Sequence, residues 1–260
     1  MILTMKATIK INSMNLLCDA LRALNKVAKA AKFSINDAGL SVYGKNGFSK
    51  CDIVTNSIVS DEPVEFCIPS VQNLIKLLGT AQELHKDDLS KVGMSFSENC
   101  LRITSKKMKT RINTCDPDTI KDSVGHANKG VYTPKFEFIT TADEIKRINN
   151  HTFLFNETGQ IRIYLEQKDD MEGNSVFATI TDPANELSNT ITLQMGLADY
   201  GKLDSRIVLD FERLNILNIK GSDEMRIQLL QERPILMSSV SGNEGDSTLS
   251  IKVYVFPLAK

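Results

Sequence analysis

The chain has 260 residues, 42% hydrophobic and 24% charged, which is enough for two domains of about 100–150 residues each with buried cores. Its apolar runs are only a few residues long, which excludes a membrane-spanning helix and leaves no membrane partner to expect. A formal net charge of −1 excludes nucleic-acid binding by bulk positive charge, so any DNA-facing surface must concentrate cations locally.

Residues 1–6 lack a basic segment followed by an apolar stretch, and no signal peptide is expected. Residues 5–11 alternate like a strand. Residues 12–29 open with Asn12-Ser13, a helix-start pair, and carry Met14, Leu17, Leu21, Leu24 and Ala28 at spacings of three and four. These form one apolar stripe, with Arg22, Lys26 and Lys29 roughly 150° away from it. Residues 32–43 read as a hairpin whose turn, Asn36-Asp37-Ala38-Gly39, places glycine where a positive φ is needed. A strand over 63–68 precedes a helix over 69–80, with Val71, Leu74, Ile75 and Leu78 facing inward and Lys76 opposite. Alternating runs over 91–97, 99–104 and 106–113 close this half. Residues 114–133 are polar, contain Pro117, Gly125 and Gly130, and lack periodicity: a connector.

The same order then returns. A strand over 135–140 leads to a helix start at Thr140-Thr141 with Glu144 three residues on, and Ile145 and Ile148 face inward while Lys146 and Arg147 do not. At an offset of 120, Phe153, Asn156 and Gly159 match Phe33, Asn36 and Gly39. Strand 206–209 and helix 210–220 follow, with Asn215-Ile216-Leu217 and Gly221 matching Asn73-Leu74-Ile75 and Gly79. That offset is 142, so extra loop length is expected at 168–174 and 199–204. Runs over 224–230, 235–240 and 248–256 end the chain. Residues 1–113 and 134–260 thus read as two similar domains joined by the connector, each with two helices set among mainly antiparallel strands: an α+β fold.

Each of the four helices exposes a cation, and the first three show almost no exposed acid in their middle turns. In the fourth, Arg213 and Lys220 share a side that Ile216 also occupies. Such surfaces suit non-specific DNA contact, in which Lys and Arg meet phosphates without reading bases. The five cysteines contain no C-x-x-C pair and read as buried, reduced thiols of a reducing compartment. Nucleotide-loop, zinc-protease and hydrolase motifs are missing. His85, His126 and His151 have no partner at ligand spacing, and the acid pairs 61–62, 87–88 and 169–170 lie in polar, turn-like stretches. No catalytic residue, metal or cofactor is expected, and the protein is read as not an enzyme.

With these features the chain resembles the DNA sliding clamps, of the two-domain type found in proliferating cell nuclear antigen and the T-even bacteriophage clamps. Residues 252–258, Lys-Val-Tyr-Val-Phe-Pro-Leu, look like the family's final strand and tail. Tyr254 and Pro257 match directly, Val255 stands for a leucine, and Phe256 replaces a small alanine. Pro234 falls where the family has a pocket-lining proline, and residues 197–201 are similar to a phage-clamp stretch. The resemblance implies the DNA clamp fold and a homotrimeric ring with helices lining a hole for duplex DNA. It implies DNA contact by Arg22, Lys26, Lys29, Lys76, Lys146, Arg147, Arg213 and Lys220. It places partner docking at Tyr43, Ile120, Pro234, Tyr254, Phe256 and Pro257, with a DNA polymerase and a clamp-loader ATPase as partners. It also implies ring closure by edge strands at 106–113 and 175–180. A viral or phage origin fits, in host cytoplasm or nucleus accordingly. Two alternatives stay open: a monomeric processivity factor with an open basic face, and a structural or assembly protein that never meets DNA.

Overall fold

Alternating runs of β-branched and aromatic residues become strands, and the four capped amphipathic segments become helices. The computed structural model describes residues 7–85, 92–97, 99–120, 133–155, 161–170, 173–182, 190–219, 224–230 and 235–258. The chain divides into two compact units: residues 1–128 with 241–251, and residues 129–240 with 252–260.

In the first unit β1 (Ala7–Ile11), α1 (Met14–Val27), β2 (Ala31–Ile35), β3 (Leu40–Lys45), β4 (Ser49–Thr55), β5 (Ile58–Ser60) and β6 (Val64–Ile68) are followed by α2 (Val71–Leu84), β7 (Gly93–Ser97), β8 (Cys100–Thr104) and β9 (Lys109–Asn113). Their antiparallel strands run in the orders β6-β2-β3-β4 and β5-β1-β7-β8-β9. Phe33 and Phe96, from the two sheets, both stack on Phe66, with ring centroids 5.4 and 5.0 Å apart. That stack joins the sheets through one core, each ring contributing about 1.5–3 kcal/mol by burial. Gly39 closes the β2–β3 turn at φ 142°, where a Cβ would overlap the Thr55 carbonyl oxygen. Asn36 Oδ1 accepts from the N–H of Ala38 and of Gly39 at 3.0 and 3.1 Å, as the expected turn requires.

The second unit contains β10 (Pro134–Thr140), α3 (Ala142–His151), β11 (Arg162–Asp170), β12 (Gly173–Thr181), β13 (Ile191–Gly201), β14 (Ile207–Leu209), α4 (Phe211–Leu217) and β15 (Met225–Leu230). The hairpin β16 (Leu236–Glu244) and β17 (Ser247–Val255) ends the chain, with its tip counted in the first unit. Strand order from β14 is β14-β11-β12-β13-β10-β15-β16-β17. This repeats the first unit strand for strand, except that the single strand β13 takes the places of both β4 and β5. Its early residues pair with β12, and residues 197–201 pair with β10, with register shifts on either side. Gly196 stands where it crosses over, and a Cβ there would overlap the Ile139 carbonyl oxygen.

The stretches where extra loop is expected, 168–174 and 199–204, are partly strand. Lys168, Asp169 and Asp170 pair with Ser175, Asn174 and Gly173, and β13 continues to Gly201. The first stretch is the tip of the β11–β12 hairpin, where cross-strand pairing carries strand into a polar segment, and in the second β13 stays paired with β10 to Gly201.

Each helix begins as its sequence directs. Ser13 caps α1 by accepting from Leu16 N at 3.3 Å, and Ser70 caps α2 by accepting from Asn73 N at 3.3 Å. Thr141 and Glu144 form a full capping box on α3. Met14, Leu17, Leu21 and Leu24 are all buried, as are Leu74, Leu78, Ile145 and Ile148. Helices α1 and α2 lie antiparallel, because Asn15 accepts from Gln82 Nε2 at 2.9 Å near one end and Asn25 donates to Gln72 at 3.3 Å near the other. In the second unit Asn218 Nδ2 donates to the Ala142 carbonyl at 3.3 Å, tying the end of α4 to the start of α3. Among the described residues no helix is long and apolar enough to cross a membrane.

Candidate nucleic-acid interface and partner surface

Burial of the apolar stripe leaves each helix one outward side, and that side fixes where its cations stand. Arg22 is exposed on α1 and Lys26 half-buried one turn on. Lys29 lies two residues past the helix end, exposed, with its carbonyl accepting from Val71 N at 2.8 Å. Lys76 is exposed on α2; Lys146 and Arg147 are exposed on α3, where Arg147 Nη2 also donates to the Gln194 carbonyl at 2.8 Å. Lys220 lies outside the described residues.

Some cations stand in ion pairs and others do not. On the strands and adjoining loops, Lys10 pairs with Asp61 at 3.0 Å, Lys50 with Asp52 at 2.7 Å and Lys135 with Asp204 at 2.7 Å. The Lys135 ammonium holds the Asp204 carboxyl below its usual range by hydrogen bond and charge, and Glu137 beside Arg226 raises that guanidinium. Lys29, Lys76, Lys146 and Arg147 have no ion pair among the described residues. Two helix cations stand in ion pairs. Arg22 bridges Asp19 at 2.9 Å, so α1 carries an acid beside its basic side. Arg213 is 15% exposed; it pairs with Asp210, and its Nε donates to the Phe256 carbonyl at 2.8 Å. It faces the C-terminal tail. Its companion Ile216 is buried, so this short helix offers no clean basic side.

The partner-surface residues fall in both units. Tyr43 is half-buried on β3, with Lys50 Nζ 5.1 Å from its ring centroid. Ile120 is half-buried after the 3-10 turn Pro117–Thr119, capped by Asp116. Tyr254 is half-buried on β17, Phe256 is exposed just past its end, and Pro257 is half-buried. Pro234 lies outside the described residues. So do His126, Asp87 and Asp88 among the residues weighed for chemistry. His85 caps the end of α2 and is buried, and His151 Nδ1 bonds to the Arg147 carbonyl at 2.7 Å. Asp169 and Asp170 end β11 where a polar loop is expected.

Two features escape the sequence reading. The first is the exposure of three apolar side chains on the second unit, Leu197, Tyr200 and Phe211. The second is the β8–β9 hairpin, where Arg102 stands directly opposite Arg111 and Lys106, Lys107 and Lys109 are all exposed. The charge run 106–111 is visible in the sequence; the facing pair needs the register. Like charges so placed repel unless an anion joins them. Counting Lys and Arg against Asp and Glu gives +2 for the first unit and −3 for the second.

For the strand edges, β9 pairs with β8 alone among the described residues, an edge as expected. Residues 175–180 are no edge: β12 is paired on one side by β11 and on the other by β13. A half-buried strand alternates whether or not it has two neighbours, so the sequence does not distinguish them. The early part of β13, Ile191 to Leu193, pairs with β12 and with no other strand among the described residues.

No protein-family model and no curated protein matches the sequence. Solved structures do. Proliferating cell nuclear antigen from Entamoeba histolytica superimposes with a TM-score of 0.69 at 16% identity, over 98% of this chain and 100% of that one. The antigen of A. fulgidus, solved with the C-terminal region of FEN-1 bound, gives 0.67 at 13% identity, over 98% and 99%. The H. pylori beta clamp gives 0.71 at 16% identity, over all of this chain and 68% of that one. The duplicated strand order and these superpositions together establish that the chain has the α+β fold of the DNA clamps.

Proposed function

We propose that this chain is a sliding clamp, a non-enzymatic processivity factor whose copies close head to tail into a homotrimeric ring around duplex DNA. One observation carries the reading: a duplicated strand order in which exposed helix cations, Lys76 in one unit and Lys146 and Arg147 in the other, have no ion pair among the described residues. Such a surface holds phosphates through charge alone and lets the duplex slide. Encirclement then replaces tight binding. A DNA polymerase would dock on the tail side, at Tyr254, Phe256 and Pro257, and a loader ATPase would open the ring, since this sequence has no nucleotide loop.

The ring edges follow from the repeat. Within the first unit, the early part of β17 lies beside β4. By strand order β9 corresponds to β17, and the early part of β13 corresponds to β4. The open edge of β9 in one copy therefore suits the open part of β13 in the next, and the opposite net charges of the two units favour the same head-to-tail contact. Reversing Arg22, Lys26 and Lys76 to Glu together is expected to abolish stimulation of a replicative polymerase on primed circular template. Full stimulation by the folded triple variant would contradict the reading.

A further inference from the structure

We infer that Arg213 is a positioning residue for the C-terminal tail: it sets residues 256–258 against the start of α4 and so presents the apolar side chains on which a partner docks. The inference rests on the tail being a partner surface, as proposed above. Asp210 caps α4 by accepting from Arg213 N at 2.8 Å, and its other oxygen holds Arg213 Nη1 in an ion pair. The same guanidinium turns Nε to the Phe256 carbonyl at 2.8 Å. Leu258 N–H then donates to the Val208 carbonyl at 2.9 Å, two residues before the cap. The tail backbone is thus fixed on both sides of Pro257, which has no N–H to offer.

The geometry is specific to arginine. Nε and Nη1 diverge to a carbonyl and a carboxylate at once, which the point charge of a lysine does not reproduce. The bonds hold backbone, leaving side chains to face outward: Phe256 remains 36% exposed and Phe211, at the first turn of α4, 42% exposed. Arg213 therefore acts through the tail, and its charge is already matched by Asp210 instead of being offered to phosphate.

Four variants test this: Arg213→Ala, Arg213→Lys, a chain ending at Val255, and Arg213→Ala in that shortened chain. Amide exchange at Leu258 is read in the first two. All four are titrated with a fluorescent peptide of the FEN-1 C-terminal region and with duplex DNA over a salt series. Loss of one charge-assisted bond should speed Leu258 exchange by about tenfold in Arg213→Ala, with little rescue by lysine. Peptide affinity should fall by a similar factor in the full chain, and Arg213→Ala added to the shortened chain should cost nothing more. The salt slope of DNA binding should not change. Unchanged Leu258 exchange, or a salt slope lowered by about one unit, would overturn the inference and return Arg213 to the phosphate-contacting set. A tail freed by Arg213→Ala in a protein that binds no peptide would uphold the positioning role and sink the partner reading alone.

Discussion

Cys67 is 1% exposed in β6, and its backbone exchanges two hydrogen bonds with Cys115, at 3.0 and 2.9 Å. Burial, helped by the Cys115 thiol beside it, pushes the Cys67 thiol up to about 12 from an ordinary value of 9.0. Burial raises Cys51 and Cys18 in the same direction. A raised thiol keeps its proton more tightly in the folded chain than in the unfolded one. The linked stability is present in full below about pH 9 and is lost as pH rises towards 12. Chemical denaturation at pH 7.5 and pH 10.5 should show a loss at the higher pH that Cys67→Ser partly removes. An identical loss in both proteins would exclude Cys67 as a source. The cysteines were legible in the sequence, because four of the five sit in apolar or alternating segments. Arg213 was not: its partner is a backbone carbonyl 43 residues away, and no side-chain pattern marks a carbonyl.

Helix starts are the elements most completely written in local sequence. Thr141 accepts from Glu144 N at 3.2 Å while Glu144 accepts from Thr141 N at 3.0 Å, so two otherwise unpaired N–H groups are satisfied by residues three apart. Thr141→Ala should cost about 1 kcal/mol in urea unfolding, and a loss below a few tenths would mean the cap is redundant. The hairpin turn at Asn36–Gly39 and the apolar stripe of α1 are legible for the same reason: their causes lie within one or two turns of chain. Strand β13 shows where that ends. Its eleven residues look locally like a strand with loop beyond, yet it bridges β12 and β10 because both lie within reach after folding. Family resemblance alone places edges at both β9 and β12, and the doubly paired position of β12 depends on partners that no local pattern marks.

At the scale of the whole chain, the two units carry opposite net charge and the same strand order, and among the described residues β9 of the first and the early part of β13 of the second each have a strand on one side only. Two unlike edges on one chain make a heterologous contact, which closes into a ring if the rotation per copy fits and grows into a filament if it does not. The facing pair Arg102 and Arg111 beside the β9 edge adds a reason for an acidic neighbour there. Electron micrographs of the purified protein at micromolar concentration, with particle mass measured on the same sample, decide between these outcomes. Closed particles of three 28.9 kDa chains, with a central hole wide enough for duplex DNA, are expected. Monomers, filaments or particles without a hole would contradict encirclement.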